Sequence, residues 1–172
     1  MNILNEKKGF TLIELLAVIV ILAIITVIGV TTVLPYLQGS AKNAFAIEAN
    51  NAVDAASQAM SLYQIGSINI PAANITEPAT ANDPTVYCFT LKQLVDYGLW
   101  TKDASTVDTG GDYAGTVLVS KAAGSNAYTY SVSMHSKDYY VKEKTGNVTS
   151  NDIHDYPTAA ADITALGLKV AC

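Results

Sequence analysis

Apolar residues are spread very unevenly along this chain. From Leu15 to Leu34 the sequence reads LLAVIVILAIITVIGVTTVL, without a charge and with only Gly and Thr as weak interruptions. A helix of roughly 20 residues rises about 30 Å, the thickness of a bilayer's hydrocarbon core. Lipid offers no partner for free backbone groups, so the run is predicted to be helical. After Pro35 the pattern changes. Ala41, Phe45, Ala49, Ala52/Val53, Ala56, Ala59/Met60 and Tyr63 recur at nearly the α-helical period, while Lys42, Glu48, Asn51, Asp54 and Ser57 fall mostly off that face. Residues 38–64 are therefore expected to form an amphipathic helix whose Ala-rich face packs on a sheet. Pro35 lacks a backbone donor and disfavours helix before it, so a kink or melted stretch is expected between Gly29 and Pro35.

Pro71, Pro78 and Pro84 lie among Asn, Thr and Ala, which predicts an irregular surface loop over 65–86. Thr90-Leu91-Lys92-Gln93 has the form of a capping box, and Gly98 follows it, so a short helix is expected at 90–97. Thr116–Lys121 and Tyr128–Met134 alternate around a turn-rich Ala123–Asn126, and Tyr139–Lys144 is a third strand. Tyr128, Tyr130 and Val132 share one face of their strand; Thr129, Ser131 and Ser133 share the other. A short helix is expected at 158–166, with Leu168–Ala171 a final strand or a tail. The pattern predicts an α+β fold in which a long N-terminal helix, one half transmembrane and one half amphipathic, packs on a small antiparallel sheet.

Composition adds limits. The chain has 172 residues, enough for one domain of ordinary size. All ten basic residues are Lys, and from Tyr36 onward eight of them face thirteen acidic residues. A nucleic-acid partner wants the opposite balance, so no direct nucleic-acid binding is expected. Lys7 and Lys8 precede the apolar run, which should leave the short N-terminal tail in the cytoplasm and export the C-terminal bulk. The apolar core is too long for a secretory signal peptide and has no Ala-x-Ala pattern after it.

Glu14 fits neither a signal peptide nor a plain anchor. A carboxylate in an apolar helix costs roughly 2.5–3.5 kcal/mol at mid-bilayer, less near the interface. Local physics leaves two readings open, a carboxylate reaching the headgroups or one awaiting a specific cation. The wider segment, Lys7-Lys8-Gly9-Phe10-Thr11-Leu12-Ile13-Glu14-Leu15-Leu16, closely resembles the class III leader junction of type IV pilins and pseudopilins. The stretch Tyr87-Cys88-Phe89-Thr90-Leu91 through Gly98-Leu99 resembles the Gram-positive members more weakly. The resemblance implies a pilin fold and cleavage by a prepilin peptidase between Gly9 and Phe10. It implies N-methylation of Phe10 and a charge pair between Glu14 and the Phe10 ammonium of a neighbouring subunit. It divides the chain into a cleaved leader (1–9), a membrane and filament-core helix (10–35), the amphipathic helix (36–64) and the loop-and-sheet part (65–172). The implied partners are further copies in a helical filament, the peptidase, a platform protein and an ATPase. The subunit would wait as a single-pass membrane protein before joining an extracellular pilus. The family's Gram-negative members commonly carry Pro where Thr31 stands, so the place where this helix loosens is open.

Cys88 and Cys172 are the two cysteines, an even count that permits one disulfide in an exported protein or leaves two thiols. Closing so long a loop would constrain the unfolded chain by roughly 4–5 kcal/mol in the entropy model. His135 and His154 are expected to be solvated loop residues. Asp152-Ile153-His154-Asp155 has no zinc-type ligand spacing and Asp108-Thr109-Gly110-Gly111-Asp112 does not match a calcium loop, so no metal or other cofactor is expected. No nucleophile elbow, phosphate loop or paired acids appear, and no catalysis is expected. Asn74-Ile75-Thr76 and Asn147-Val148-Thr149 match the glycosylation pattern, a motif so short that it argues only for loop exposure.

Overall fold

The computed structural model describes residues 10–102, 104–105, 113–158, 165–169 and 171–172. Contacts divide the chain into two units, with the boundary between Ser40 and Ala41. Helix α1 runs from Leu12 to Gln64 and carries Pro35 inside it. The expected melted stretch is not there: every residue from Gly29 to Pro35 is helical. Pro35 removes one donor, but propagation from well-formed turns on both sides outweighs a single missing bond. The Thr hydroxyls in this region fold back onto the helix. Thr26 donates to the Leu22 carbonyl at 2.7 Å, and Thr31 and Thr32 each donate to the Ile28 carbonyl, at 3.0 and 3.2 Å. These polar groups therefore need nothing from their surroundings.

In the second unit, α1 continues to Gln64 and is followed by β1 (Ile75–Thr76), β2 (Thr85–Thr90), α2 (Leu91–Asp96) and β3 (Ala104–Ser105). Then come β4 (Tyr113–Lys121), β5 (Tyr128–His135), β6 (Tyr139–Thr145) and β7 (His154–Asp155). Among the described residues the sheet order is β1-β2-β4-β5-β6-β7, all antiparallel, with β3 pairing parallel to the start of β4. The expected meander is β4-β5-β6. Strand β2 corrects the reading of an irregular loop up to residue 86: Thr85 pairs with Lys121 and Thr90 with Thr116, so β2 extends the sheet on the other side of β4, with β1 beyond it. Within the predicted loop, Ala72–Asn74 also form a 3₁₀ turn that leads into β1. The 158–166 helix lies mostly outside the described residues, with Ala165 and Leu166 helical; Leu168 and Lys169 belong to no strand.

The sheet packs one face on α1. Phe45, Ala46, Ala49, Ala52, Ala55, Ala56, Ala59 and Met60 are buried against Phe89, Val117, Val119, Val132, Met134 and Val141. Small Ala side chains let the helix backbone approach the pleat, and the larger sheet residues fill the space. Each fully buried Val contributes about 1.5–3 kcal/mol. Asn50 anchors the same helix to the loop after β6. Its carboxamide donates to the Val148 carbonyl at 2.8 Å and accepts the Val148 N–H at 2.9 Å. The Lys102 ammonium, 3.2 Å from Glu48, ties the chain before β3 to α1. Hydrogen bonding to Glu48 raises the Lys102 pKa. The capping box of α2 forms in full, with the Gln93 N–H donating to Thr90 Oγ1 and the Thr90 N–H to Gln93 Oε1.

The outer face of the sheet is not left to solvent throughout. Thr116 and Ser133 are buried there. The C-terminal residues cross this face as a strap. Lys142 Nζ donates to the Leu166 carbonyl at 2.6 Å, and Thr116 Oγ1 donates to the Lys169 carbonyl at 3.1 Å. Cys88 of β2 is disulfide-bonded to Cys172, with Cα atoms 5.7 Å apart. Ser133 lies at a bulge, where Val132 pairs with Lys144 but Met134 pairs with Val141. The extra residue in β6 puts Glu143 at φ +47°, and its N–H donates to Ser133 Oγ at 2.8 Å. A left-handed non-glycine residue is uncommon; here the Ser133 hydroxyl accepts a donor that the displaced ladder leaves over.

Candidate functional site

Among the described residues, one helix is long and apolar enough to cross a bilayer, and its most apolar stretch is not buried anywhere in the molecule. Leu12, Ile13, Leu15, Leu16 and the apolar residues after them to Leu37 are all exposed. Water does not tolerate an apolar surface of that extent, so it is built for lipid, for other protein chains, or for both.

At its start the helix is capped by its own chain. Glu14 Oε2 accepts the Thr11 N–H at 2.9 Å and the Thr11 hydroxyl at 2.9 Å. The Glu14 N–H donates to Thr11 Oγ1 at 3.3 Å. This is a capping box: two backbone donors that the first turn would leave open are satisfied reciprocally. A carboxylate in the first turn also complements the positive end of the helix dipole. Glu14 is thus held in place by its own chain, and among the described residues only Oε2 is engaged. Phe10, immediately before Thr11, is 86 % exposed. Gly9 lies outside the described residues.

Sequence reasoning singled out Glu14 and overlooked Thr11. The signal was available, since Thr11-Leu12-Ile13-Glu14 is the same Thr-x-x-acid/amide pattern that identified the cap of α2.

The other singled-out residues lie in the second unit. Cys88 and Cys172 are joined and form part of the fold. His135 is not a solvated loop residue: it ends β5, is 2 % exposed and stacks on Tyr156 with ring centroids 4.7 Å apart. His154 is exposed in β7 and leans on Tyr140. Asp152 belongs to a structural cluster. Lys144 Nζ lies 2.7 Å from its Oδ1, and the Thr149 N–H and hydroxyl both donate to Oδ2. The Lys144 ammonium and these two donors lower its pKa to about 2. Asp108–Asp112 fall outside the described residues. Among the described residues no group of three or more His, Cys, Asp or Glu side chains is placed to hold a metal ion.

Residues 4–30 match the family model described as the prokaryotic N-terminal methylation motif. This motif is the class III prepilin leader of type IV pilins and pseudopilins. No curated protein and no solved structure matches the chain. The match therefore covers the junction and most of the apolar run, and it stops before the helix meets the sheet.

Proposed function

We propose that this chain, which carries a prepilin leader, is a structural subunit of a type IV pilus. In this reading the peptidase cuts between Gly9 and Phe10, and the new subunit polymerises through residues 10–35 into a surface filament serving adhesion, motility or aggregation. The observation that carries it is the conjunction of the matched motif with an unburied apolar helix whose first turn holds the Glu14 side chain in position. Cleavage removes Lys7 and Lys8, which set membrane orientation, and creates a cationic amine on Phe10. Methylation keeps that charge. In a low-dielectric filament core, the amine of one subunit and Glu14 of the next are each uncomfortable alone. Breaking a buried pair costs about 3–5 kcal/mol, so the pair penalises a subunit docked out of register, which purely apolar packing does not. Because Thr11 already fixes the Glu14 carboxylate, less ordering remains to be done when the pair forms.

The test has three parts. The protein isolated from the cells that make it should begin at a methylated Phe10; a start at Met1 or Asn2 overturns the reading and leaves an uncleaved, one-span anchored module. Glu14→Ala should be cleaved normally yet give few or no filaments, and a normal filament yield would refute the charge pair. Electron microscopy of sheared surface filaments, with mass spectrometry of their contents, separates the pilin from a pseudopilin of a secretion or DNA-uptake machine. Long filaments made mainly of this chain are expected.

A further inference from the structure

Two Asn-x-Thr triplets occur in the chain, and the fold treats them in opposite ways. Asn74 is half-buried, and both hydrogens of its carboxamide are committed, one to the Cys88 carbonyl and one to Gln93 Oε1, each at 3.1 Å. The same Gln93 oxygen accepts the Thr90 N–H in the cap of α2. A substituent on Asn74 Nδ2 would break that network. Asn147 is exposed, and its carboxamide makes no hydrogen bond among the described residues. Gly146, at φ +79°, turns the chain just before it. Val148, just after it, is buried and clamped by both Asn50 bonds, so the Asn147 side chain is displayed from a fixed backbone.

Asn147, Thr145, Tyr128, Tyr130 and Asp54 line an open groove of about 420 Å³ between α1 and the sheet. Tyrosine rings offer flat apolar faces, and Asp and Thr offer acceptors and a hydroxyl. That combination suits a saccharide, whose C–H faces stack on aromatic rings while its hydroxyls seek polar partners. We propose that Asn147 is a site of N-linked glycosylation and that the first sugars lie along this groove.

In the step proposed, Asn147 Nδ2 attacks the anomeric carbon of a saccharide carried on a lipid diphosphate. The N–C bond forms, the bond from that carbon to the diphosphate oxygen breaks, and the amide proton is lost as the diphosphate leaves; nothing is oxidised or reduced. In the folded chain the Thr149 hydroxyl donates to Asp152 and Val148 is clamped. Transfer therefore precedes folding of this segment, and the folded structure decides which of the two sites can carry the product.

The proposal rests on export of residues 36–172, and not on filament formation. The test uses the full chain made in its own cells, alongside Asn147→Gln and Asn74→Gln variants, with peptide mass spectrometry. The peptide holding Asn147 should carry hexose or hexosamine mass, Asn147→Gln should abolish it, and Asn74→Gln should leave it in place. Recovery of that peptide wholly unmodified overturns the proposal, as does a saccharide that survives Asn147→Gln. A chain starting at Phe10 with a bare Asn147 defeats this inference alone. A chain starting at Met1 with a saccharide on Asn147 defeats the filament reading alone.

Discussion

A Cβ placed on Gly115 would lie 2.3 Å from the Ser133 carbonyl oxygen and 2.5 Å from the Met134 Cα, both of them main-chain atoms of β5. Its φ of +155° is strained for any side chain as well. The neighbour cannot rotate away, because it is backbone inside a central ladder. Gly115→Ala should destabilise the second unit by about 1–3 kcal/mol or more, read as a lower denaturant midpoint. Asp152 carries a different kind of residue-scale prediction. Its carboxylate is held at about 2, below its ordinary 3.8, by Lys144 and Thr149, so the folded state binds its proton less readily. The stabilisation is present above about pH 4 and is lost as the pH falls towards about 2. Asp152→Asn should therefore lower stability near neutrality, with the gap from the parent closing over that acid window in a pH series of unfolding curves. The Asp152 and Lys144 side chains keep 22 % and 34 % of their surface exposed, so added salt should shrink the difference.

Elements differ in how plainly they were written in the sequence. The helical period from Ala41 to Tyr63 and the alternation at Thr116–Lys121 and Tyr128–Met134 were legible because one face of each is buried. Strand β2 was not. Cys88 and Phe89 point to opposite faces, one under the C-terminal strap and one on the helix, so the alternation of in and out that marks a half-buried strand is blurred. Strands β1, β3 and β7 have two residues each, too few for any period. His135 sat in a polar stretch, and the Tyr156 that covers it is distant in sequence. Pro35 was given too much weight, since a single lost donor was set against a long helix. At the N-terminus the leader motif was legible in the sequence around Gly9, Phe10 and Glu14, whereas the Thr11 cap was legible but not used. The strap was visible only as a second cysteine. Cys172→Ser removes a link across 84 residues and should lower stability by about 2–4 kcal/mol. Reduced parent protein should then unfold at the same midpoint as the variant, measured by thermal melting with and without reductant.

For the whole molecule, the division between Ser40 and Ala41 separates an apolar helical stretch with no core from a unit that holds every buried residue of the described core. Residues 41–172 should therefore be soluble alone, with a single cooperative melting transition and native disulfide; aggregation of that fragment under oxidising conditions would contradict the division. Within the second unit the helix also has a mechanical meaning. Tension applied to it at Ala41 is carried along the buried face from Phe45 to Met60. That face spans roughly 24 Å of helix, at about 1.5 Å per residue. A load delivered along such a length acts as shear, in which the Phe45, Ala49, Ala52, Ala56 and Met60 contacts must give way together. Peeling a strand from an edge breaks its contacts one after another at far lower force. The joint between helix and sheet is thus arranged to bear tension where it is widest.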